Sequence, residues 1–306
     1  MIRFRSRAGT VLAGGWVALS LAAGCAGTGL IDDGTSLSFG PPNDGALIAP
    51  ETLPTAGEGY LIPPTWQKRG LRYGTHELVG MVVHIGRRMQ AYQLGRPLGV
   101  ADLSRESGGP SAWHRSHQTG RDVDFIFYAR DAAGKPVAPA AVAEMRRYGA
   151  DGASIGKAGD PVVYFDEKAN WLLVRELVQN PVADVQWIFI SDDLKQRLID
   201  HAVATGESPA VIAAAAVLLH QPSHALAHDD HMHIRVYCSP DDVALGCEEV
   251  GPYLWFKKGY KYRDREVAAA RRAAMREAPP PPVPVGPRPV LMAALPALPF
   301  RGFVLR

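Results

Sequence analysis

Seven of the chain's ten histidines fall in two short stretches that lie about a hundred residues apart. Structural histidines would be spread along the chain, so this clustering indicates a site that uses imidazole to bind a metal or to transfer protons. Any fold that the chain adopts must therefore bring the two stretches together. The clustered residues are His114 and His117 in the first stretch, and His220, His224, His228, His231 and His233 in the second.

The first stretch leads into a predicted strand with two carboxylates on one face. Gly120 breaks the chain after His117, and residues 122–128 alternate in the manner of a β-strand. Asp122 and Asp124 then share one face, and the apolar residues between and after them share the other. A bound cation is a common reason for such a face. The turn at Gly120 would let His117 fold back toward Asp124, whereas a change at Asp122 is expected to leave most of the metal bound.

The second stretch predicts another strand, on which His231 and His233 point in the same direction. Two histidines and one aspartate with an open fourth position are typical of a catalytic zinc site, because structural zinc sites are closed and usually use cysteine. Each pattern alone has an ordinary explanation. A His-x-His pair is frequent on strands, and an Asp-x-Asp pair occurs on solvated edges or as calcium ligands. Both patterns together favour zinc, and His220 and His224 are interpreted as helix-end or loop histidines.

The remaining periodicity mixes helices and strands without a visible repeat. A helix is expected after the N-cap Thr75, with an apolar stripe on which Gly86 would allow close packing. Strands are expected at 162–165 and 185–190, and further helices at 171–178 behind an Asn170 cap, from Asp192 or Asp193 to about 205, and at 209–219 behind Ser208. The predicted fold class is α+β: a single domain with a central antiparallel sheet flanked by helices and the zinc site on the sheet.

Composition and charge exclude several classes of protein. The chain is 47% hydrophobic and 21% charged, with mixed charges, which excludes a disordered chain, collagen and a coiled coil. The net charge of +2 depends on three arginines near the N-terminus. Without residues 1–24, Lys+Arg falls from 33 to 30 against 31 Asp+Glu, so nucleic acid is not an expected partner.

The N-terminus has the layout of a secretory signal peptide over residues 1–24. Arg3, Arg5 and Arg7 precede an uncharged run of apolar and small residues that ends just before Cys25. Small residues before this cysteine resemble a bacterial lipobox, which implies cleavage before Cys25 and lipidation of its thiol. The alternative is plain secretion with Cys25 free or paired. Because Ala26 follows instead of aspartate, the resemblance implies the outer membrane as the periplasmic destination.

The ends of the chain flank one domain's worth of sequence. Residues 25–59 are expected to be the lipidated cysteine and a flexible tether, within a loop-like segment that continues as an irregular arm on the domain. Residues 60–277 are expected to form the single domain that carries the zinc site, and residues 278–306 carry nine prolines and are expected to be a disordered tail. The apolar end of this tail, at 290–300, would suit docking, although a mobile tail is the preferred interpretation.

The number and spacing of the cysteines agree with the prediction that the protein is exported. If Cys25 is acylated, Cys238 and Cys247 remain as a pair with eight residues between them. A pair so close in sequence tends to form a disulfide in an oxidising compartment. The alternative is two reduced thiols that are near each other by chance.

The quoted motifs resemble the penicillin-insensitive murein endopeptidases, which belong with lysostaphin, D-Ala-D-Ala peptidase and hedgehog-type zinc domains. The resemblance is carried by Ser116-His117-Gln-Thr-Gly-Arg-Asp-Val-Asp124 and by His228-x-x-His231-Met-His233. Further similar segments are Arg72-Tyr-Gly-Thr-His76, Ile188-Phe-Ile-Ser, Leu194-Lys-Gln-Arg-Leu and the pair Cys238 and Cys247. The similarity covers separate segments between about residues 60 and 250, and the lipobox with its tether and the proline-rich tail depart from the family pattern.

The resemblance implies a role for each site residue. His117, Asp124 and His233 would be the ligands of a Zn²⁺ cofactor, His231 the catalytic base, and His228 an assisting residue near the oxyanion or leaving group. His114 matches another histidine of the family's site, with a less defined role. The segment through Phe165-Asp-Glu-Lys-Ala-Asn170 lacks a histidine for a second metal, so one zinc per chain is expected.

The implied activity is hydrolysis of the D-alanyl–diaminopimelate cross-links of peptidoglycan, insensitive to β-lactams because no serine nucleophile is available for acylation. The expected partners are peptidoglycan and, through the lipid anchor, the outer membrane. A zinc D,D- or L,D-carboxypeptidase that trims stem peptides would use the same residues. A non-catalytic lipoprotein that binds the cell wall is a third possibility, which the intact His231 argues against, since binding alone needs no base.

Overall fold

A computed structural model describes residues 36–139 and 144–251. The predicted signal peptide, Cys25, the proline-rich tail and its apolar end lie outside these residues. No helix within the two described ranges is both long and apolar enough to cross a membrane. The strands are β1 (Leu37–Phe39), β2 (Ala46–Ile48), β3 (Glu51–Thr52), β4 (Ala56–Gly57), β5 (Tyr60–Leu61), β6 (Tyr73–Gly74), β7 (Leu98–Val100), β8 (Asp122–Ile126), β9 (Ala129–Asp131), β10 (Arg147–Tyr148), β11 (Ser154–Ile155), β12 (Val163–Phe165), β13 (Val185–Phe189), β14 (Leu219–His220) and β15 (His231–Val236). The helices are α1 (Pro64–Gln67), α2 (His76–Ala91), α3 (Glu167–Val178), α4 (Asp192–Ala204), α5 (Pro209–Leu218) and α6 (Pro240–Leu245).

Seven strands form the main sheet, in the order β14-β13-β15-β8-β7-β5-β4. The mixture of helices and strands is as predicted, but the main sheet is mixed and is not the single antiparallel sheet expected from the sequence. Strands β13, β15, β8 and β7 pair antiparallel, whereas β14 joins β13 and β5 joins β7 in parallel. Both parallel pairs have helices in the connection between their strands, α4 and α5 in one and α1 and α2 in the other, and a helical crossover returns the chain in the same direction.

The centre of the sheet brings the two histidine stretches together. Strands β8 and β15 are antiparallel neighbours, in a register that places His233 opposite Asp124 and His231 opposite Ile126. The same register places Arg235 opposite Asp122. Because side chains alternate along each strand, the polar residues of both strands lie on one face.

Helix α2 forms where the apolar stripe predicts it. The Thr75 hydroxyl caps the helix by accepting a hydrogen bond from the amide of Leu78 (3.3 Å). Leu78 and Met89 are buried with the rest of the stripe. Gly86 packs against β5 and the preceding turn so closely that an added Cβ would lie 2.8 Å from the Glu58 carbonyl oxygen. The close approach expected at this glycine is therefore present.

Helix α3 begins earlier than predicted, because Asp166 caps it and Asn170 does not. The Asp166 carboxylate accepts from the amide of Ala169 (3.1 Å). Asn170 lies within the helix and is buried. Its side chain accepts from the amide of Tyr128 (3.0 Å) and donates to the carbonyl oxygen of the same residue (2.8 Å). Asp and Asn are both good N-caps, and here the asparagine ties the helix to the chain beyond β8.

The folded part of the chain begins before residue 60, inside the segment expected to be a flexible tether. Strands β1 and β2 form a hairpin, β4 joins the main sheet, and Leu47 and Leu53 are buried. The arm also contacts the loop before β8, where the amide of Gln118 donates to the Pro42 carbonyl oxygen (3.1 Å). Residues 36–59 therefore support the loop that carries His117.

The predicted pair Cys238 and Cys247 forms a disulfide that encloses α6. The end of this loop lies against the arm, because the Gly40 amide donates to the Gly246 carbonyl oxygen (3.0 Å). The buried Arg121 side chain donates to the carbonyl oxygens of Val236 (3.1 Å) and Glu248 (3.0 Å). The disulfide loop, the arm and the start of β8 are thus one packed unit.

Candidate metal centre

Three side chains converge where β8, β15 and the preceding loop meet. The carboxylate of Asp124 lies between the other two, with its Oδ1 3.4 Å from Nε2 of His117 and 3.5 Å from Nδ1 of His233. All three residues are buried. His117 reaches this position from a left-handed backbone conformation (φ 63°) in the tight loop before Gly120. The loop thus folds back toward Asp124, as expected from the sequence.

The polar atoms of this group suit a divalent cation. Both carboxylate oxygens of Asp124 and Nε2 of His117 are buried without a hydrogen-bond partner. An ionised carboxylate in such a place is costly unless a positive charge accompanies it. Ligands bound to zinc at about 2.0–2.2 Å in a tetrahedron lie roughly 3.3–3.6 Å from one another. The two separations around Asp124 fall in this range, so the residues fit a bound Zn²⁺.

The outer nitrogen of each candidate histidine ligand is held by an acceptor. Nδ1 of His117 donates to the Leu103 carbonyl oxygen (2.8 Å). Nε2 of His233 donates to Oδ1 of Asp122 (2.8 Å), and the same oxygen accepts from Nε of Arg235 (2.6 Å). These bonds leave Nε2 of His117 and Nδ1 of His233 directed at Asp124 with their lone pairs. Metal-binding histidines are commonly fixed in this way.

The protonation of the three residues follows from burial and charge. Burial lowers the pKa of His233 to about 3, so its imidazole is neutral and can act as a ligand. Burial opposes protonation of His117 as well, but the charge of Asp124 raises the pKa of His117 to about 9. Burial alone would raise the pKa of Asp124, but the neighbouring imidazoles hold it well below its ordinary value. A positive charge, whether a proton on His117 or a metal ion, therefore balances Asp124.

His231 lies beside this group in a different setting. Its Nε2 is 3.4 Å from Oδ1 of Asp124, and its Nδ1 contacts Oδ1 of Asp230 at 2.6 Å. Burial lowers the pKa of His231, but Asp124 and Asp230 together raise it above its ordinary value. The ring of His228 lies 5.5 Å from that of His231, and burial lowers the pKa of His228. His231 thus has the carboxylate partner and the raised basicity of a proton acceptor.

His114 completes the group and leads to a carboxylate that the sequence analysis missed. Its ring stacks on that of His117 with centroids 4.1 Å apart. Its Nε2 lies 2.9 Å from Oδ2 of Asp102 and 3.8 Å from Oδ2 of Asp124. Asp102 is fully buried and also accepts from Arg69 (2.6 Å). The one sequence signal that could have pointed to Asp102 is its position as a lone aspartate directly after the apolar segment that forms β7.

Among the described residues, two sets of three side chains could each hold a metal ion. One set is His114, His117 and Asp124, and the other is His228, His231 and His233. Within each set the ligand atoms lie within 4.8 Å of one another. The predicted ligand set takes members from both, and all six of the predicted site residues are brought to one place. His220 lies apart, in β14, where its ring stacks on Trp187 with centroids 4.6 Å apart.

Comparison with known proteins accounts for this arrangement. A family model described as penicillin-insensitive murein endopeptidase matches residues 38–254, which is most of the chain and includes every residue of the centre. The chain belongs to this family. Similar curated members of the penicillin-insensitive murein endopeptidases come from Escherichia coli O1:K1, strain SMS-3-5 and O127:H6. Each is 27% identical over 220 residues, covering 71% of this chain and 71% of the relative.

Membership of the murein endopeptidase family agrees with the resemblance that the motifs carried. The chain is thus a member of a peptidase family, and the His/Asp cluster that could hold a metal ion lies within the matched residues. The disulfide between Cys238 and Cys247 is present in the structure. The functional partners that sequence analysis left without a role are Asp102, Asp122 and Asp230, each of which contacts a site histidine.

Proposed function

We propose that this chain is a zinc-dependent murein endopeptidase that hydrolyses D-alanyl–diaminopimelate cross-links. The observation that carries the proposal is the buried Asp124 carboxylate, which lacks a hydrogen-bond partner and faces the free nitrogens of His117 and His233. Family membership supports the murein substrate. The histidine and aspartate donor set supports zinc, since calcium and magnesium prefer oxygen ligands.

The proposed ligands are Nε2 of His117, a carboxylate oxygen of Asp124 and Nδ1 of His233. Bound zinc would polarise the peptide carbonyl and lower the pKa of water at the site to about 7. The protein contributes the rigidity of this centre: β8 and β15 fix Asp124 and His233 in register, and the Leu103 carbonyl and Asp122 fix the two imidazoles. One zinc per chain remains our proposal.

His231 is the proposed general base. It accepts a proton at Nε2 as water attacks the peptide carbonyl, and returns it to the leaving amine nitrogen. The Asp230 carboxylate holds the opposite edge of the ring and stabilises the imidazolium that forms. His228, next to His231 and lowered in pKa by burial, is placed to contact the oxyanion or the leaving group.

Insensitivity to β-lactams follows from a reaction in which water is the nucleophile and His231 is the base. A β-lactam inactivates a peptidase by acylating its nucleophile, and no serine has that role in the proposed reaction. The curated relatives are named penicillin-insensitive murein endopeptidases, which supports the same property. We also propose that the enzyme works in the periplasm as an outer-membrane lipoprotein anchored through Cys25, where peptidoglycan is its partner.

The direct test uses purified cross-linked muropeptide dimers and separates the products by chromatography and mass spectrometry. We expect release of monomers by the zinc-loaded protein, loss of that activity after dialysis against a chelator, and its return when Zn²⁺ is added. Penicillin should not inhibit. Release of terminal D-alanine without separation of dimers would replace the proposal with a carboxypeptidase, and binding without any hydrolysis would replace it with a cell-wall-binding lipoprotein.

A further inference from the structure

A polar groove lies next to the metal centre and has no role in the chemistry described above. Its open volume is about 500 Å³, which is in the range of ligand-binding clefts. Three segments of the chain line it: residues 69–71 together with Tyr73, residues 105–107 and residues 110–113. The last segment ends at Trp113, so the wall of the groove runs directly into His114 of the site.

An exposed indole forms one side of the groove. The Trp113 side chain is 58% exposed, although a tryptophan of this size is ordinarily covered. The guanidinium of Arg69 lies over the ring, 4.1 Å from its centroid. This contact holds the indole in place while most of its surface stays open to the groove. A fixed, exposed aromatic surface beside a reactive centre is typical of a binding platform.

Arg69 connects the groove to the site. Its Nη1 donates to Oδ2 of Asp102 (2.6 Å), and the same oxygen contacts Nε2 of His114 (2.9 Å). One buried carboxylate therefore separates the groove's guanidinium from a histidine of the metal centre. A molecule that occupies the groove would therefore lie beside the metal centre.

The turn that joins the lining residues Ser107 and Pro110 is also fixed. Gly108 and Gly109 turn the chain with positive φ values of 65° and 72°. A Cβ at Gly108 would lie 2.2 Å from the Gln118 carbonyl oxygen, and the Gly109 amide donates to that same oxygen (2.9 Å). This turn between two lining segments is therefore packed on the loop that carries His117, which helps to preorganise the groove for a ligand.

Arg105 gives the groove its recognition chemistry. It is exposed, and its Nη1 donates to the Pro110 carbonyl oxygen (2.9 Å). Within residues 36–139 and 144–251 no salt bridge to Arg105 is formed, whereas Arg69 is already neutralised by Asp102. The remaining donors of the Arg105 fork are suited to a carboxylate.

We propose that this groove binds the stem peptide of murein next to the scissile bond, with Arg105 contacting a free stem-peptide carboxylate and Trp113 covering the adjoining apolar atoms. This inference rests on the proposed function for the identity of the polymer. Murein stem peptides carry free carboxylates on their glutamate and diaminopimelate residues. The glycan strand lies several peptide residues away from a cross-link, whereas the groove begins one residue from His114.

The test compares Arg105→Gln and Trp113→Ala with the wild type on three cross-linked dimers: unmodified, amidated on diaminopimelate, and amidated on glutamate. Both side chains are exposed, so zinc content and thermal stability should stay unchanged. Each variant should raise KM for the unmodified dimer by ~10-fold with kcat within about twofold, because uniform binding is lost. Arg87→Gln, an exposed arginine on α2, is the matched control and should leave KM unchanged.

The amidated dimers identify the carboxylate through a double-mutant cycle. For the wild type, one of the two amidations should raise KM by ~10-fold. For Arg105→Gln, the same amidation should not raise KM any further, because the contact with that carboxylate is already lost. The groove proposal is overturned if no amidation changes the wild-type KM, or if Arg105→Gln and Trp113→Ala behave as Arg87→Gln does. Binding of uncross-linked muropeptide, measured by calorimetry on the zinc-loaded proteins, separates the two proposals. If the variants bind it more weakly than the wild type does, but the wild type hydrolyses no dimer, the groove proposal is supported and the endopeptidase proposal is wrong.

Discussion

A 2.8 Å hydrogen bond joins Nε2 of His233 to Oδ1 of Asp122 on the neighbouring strand. It fixes the imidazole tautomer and leaves Nδ1 of His233 directed at the metal centre. Asp122 is fully buried, and Arg235 holds its pKa well below the ordinary value against the opposing effect of burial. Sequence spacing suggested that Asp122 matters little for metal binding, and the structure gives it an orienting role instead.

Asp122→Asn should therefore weaken zinc binding without abolishing it. We expect the dissociation constant to rise ~10–100-fold, which is the usual effect of losing a carboxylate behind a histidine ligand. Asp124→Asn should lose stoichiometric zinc. A competition titration with a chromophoric chelator measures both, with Asp200→Asn on the exposed face of α4 as the control. Unchanged zinc affinity in Asp122→Asn would contradict the orienting role.

Asp230 should tune His231 without binding zinc. Asp230→Asn removes a carboxylate that helps to raise the pKa of His231, so the base should lose its proton at lower pH. The acidic limb of the kcat/KM profile should move to lower pH, and kcat should fall ~10-fold with zinc content unchanged. Asp229→Asn is the matched control, because that carboxylate pairs with Arg147 (2.8 Å). The same shift in both variants, or zinc loss in Asp230→Asn, would rule out this role.

The sequence predicted the site better than it predicted its surroundings. Strands β8 and β15 carry alternating residues, so the faces of Asp124 and His233 follow from period alone. Asp102 was not found, because a single aspartate after an apolar segment has no pattern and acquires its role only from contacts distant in sequence. Asn170 was misread since its helical position and its bond to Tyr128 depend on tertiary packing. The two parallel strand pairs, β13–β14 and β5–β7, likewise depend on how helices α1, α2, α4 and α5 connect their strands.

Asp242 should make stability fall with rising pH. Burial raises the pKa of this carboxyl to about 7 from an ordinary value of 3.8. Between these values the folded state binds more protons than the unfolded state, so this group's contribution to the free energy of unfolding decreases as pH rises. Asp242→Asn should equal the wild type near pH 4 and exceed it above pH 7, by up to about 4 kcal/mol. Urea unfolding at both pH values measures the difference, and a difference independent of pH would contradict the assignment.

The disulfide should contribute to stability and not to metal binding. Replacing Cys238 and Cys247 by serine frees a short loop in the unfolded chain, which should lower the free energy of unfolding by about 2–3 kcal/mol. Zinc content should not change, because the bond lies in the α6 loop beside β1 and outside the centre. Reduction of the wild type should give the same loss in urea unfolding. Free thiols at both positions in periplasmically expressed protein would contradict the disulfide itself.

The central claim is that His233 binds zinc while its neighbour His231 transfers protons. Their ring nitrogens lie at similar distances from Oδ1 of Asp124, 3.5 Å for His233 and 3.4 Å for His231, so distance from this carboxylate does not separate ligand from base. The decisive measurement determines zinc content and dimer hydrolysis on the same preparations of His231→Ala and His233→Ala. We expect His233→Ala to lose both. His231→Ala should keep about one zinc per chain while hydrolysis falls ~10²-fold or more. If His231→Ala loses its zinc, or keeps full activity, the assignment of ligand and base is wrong.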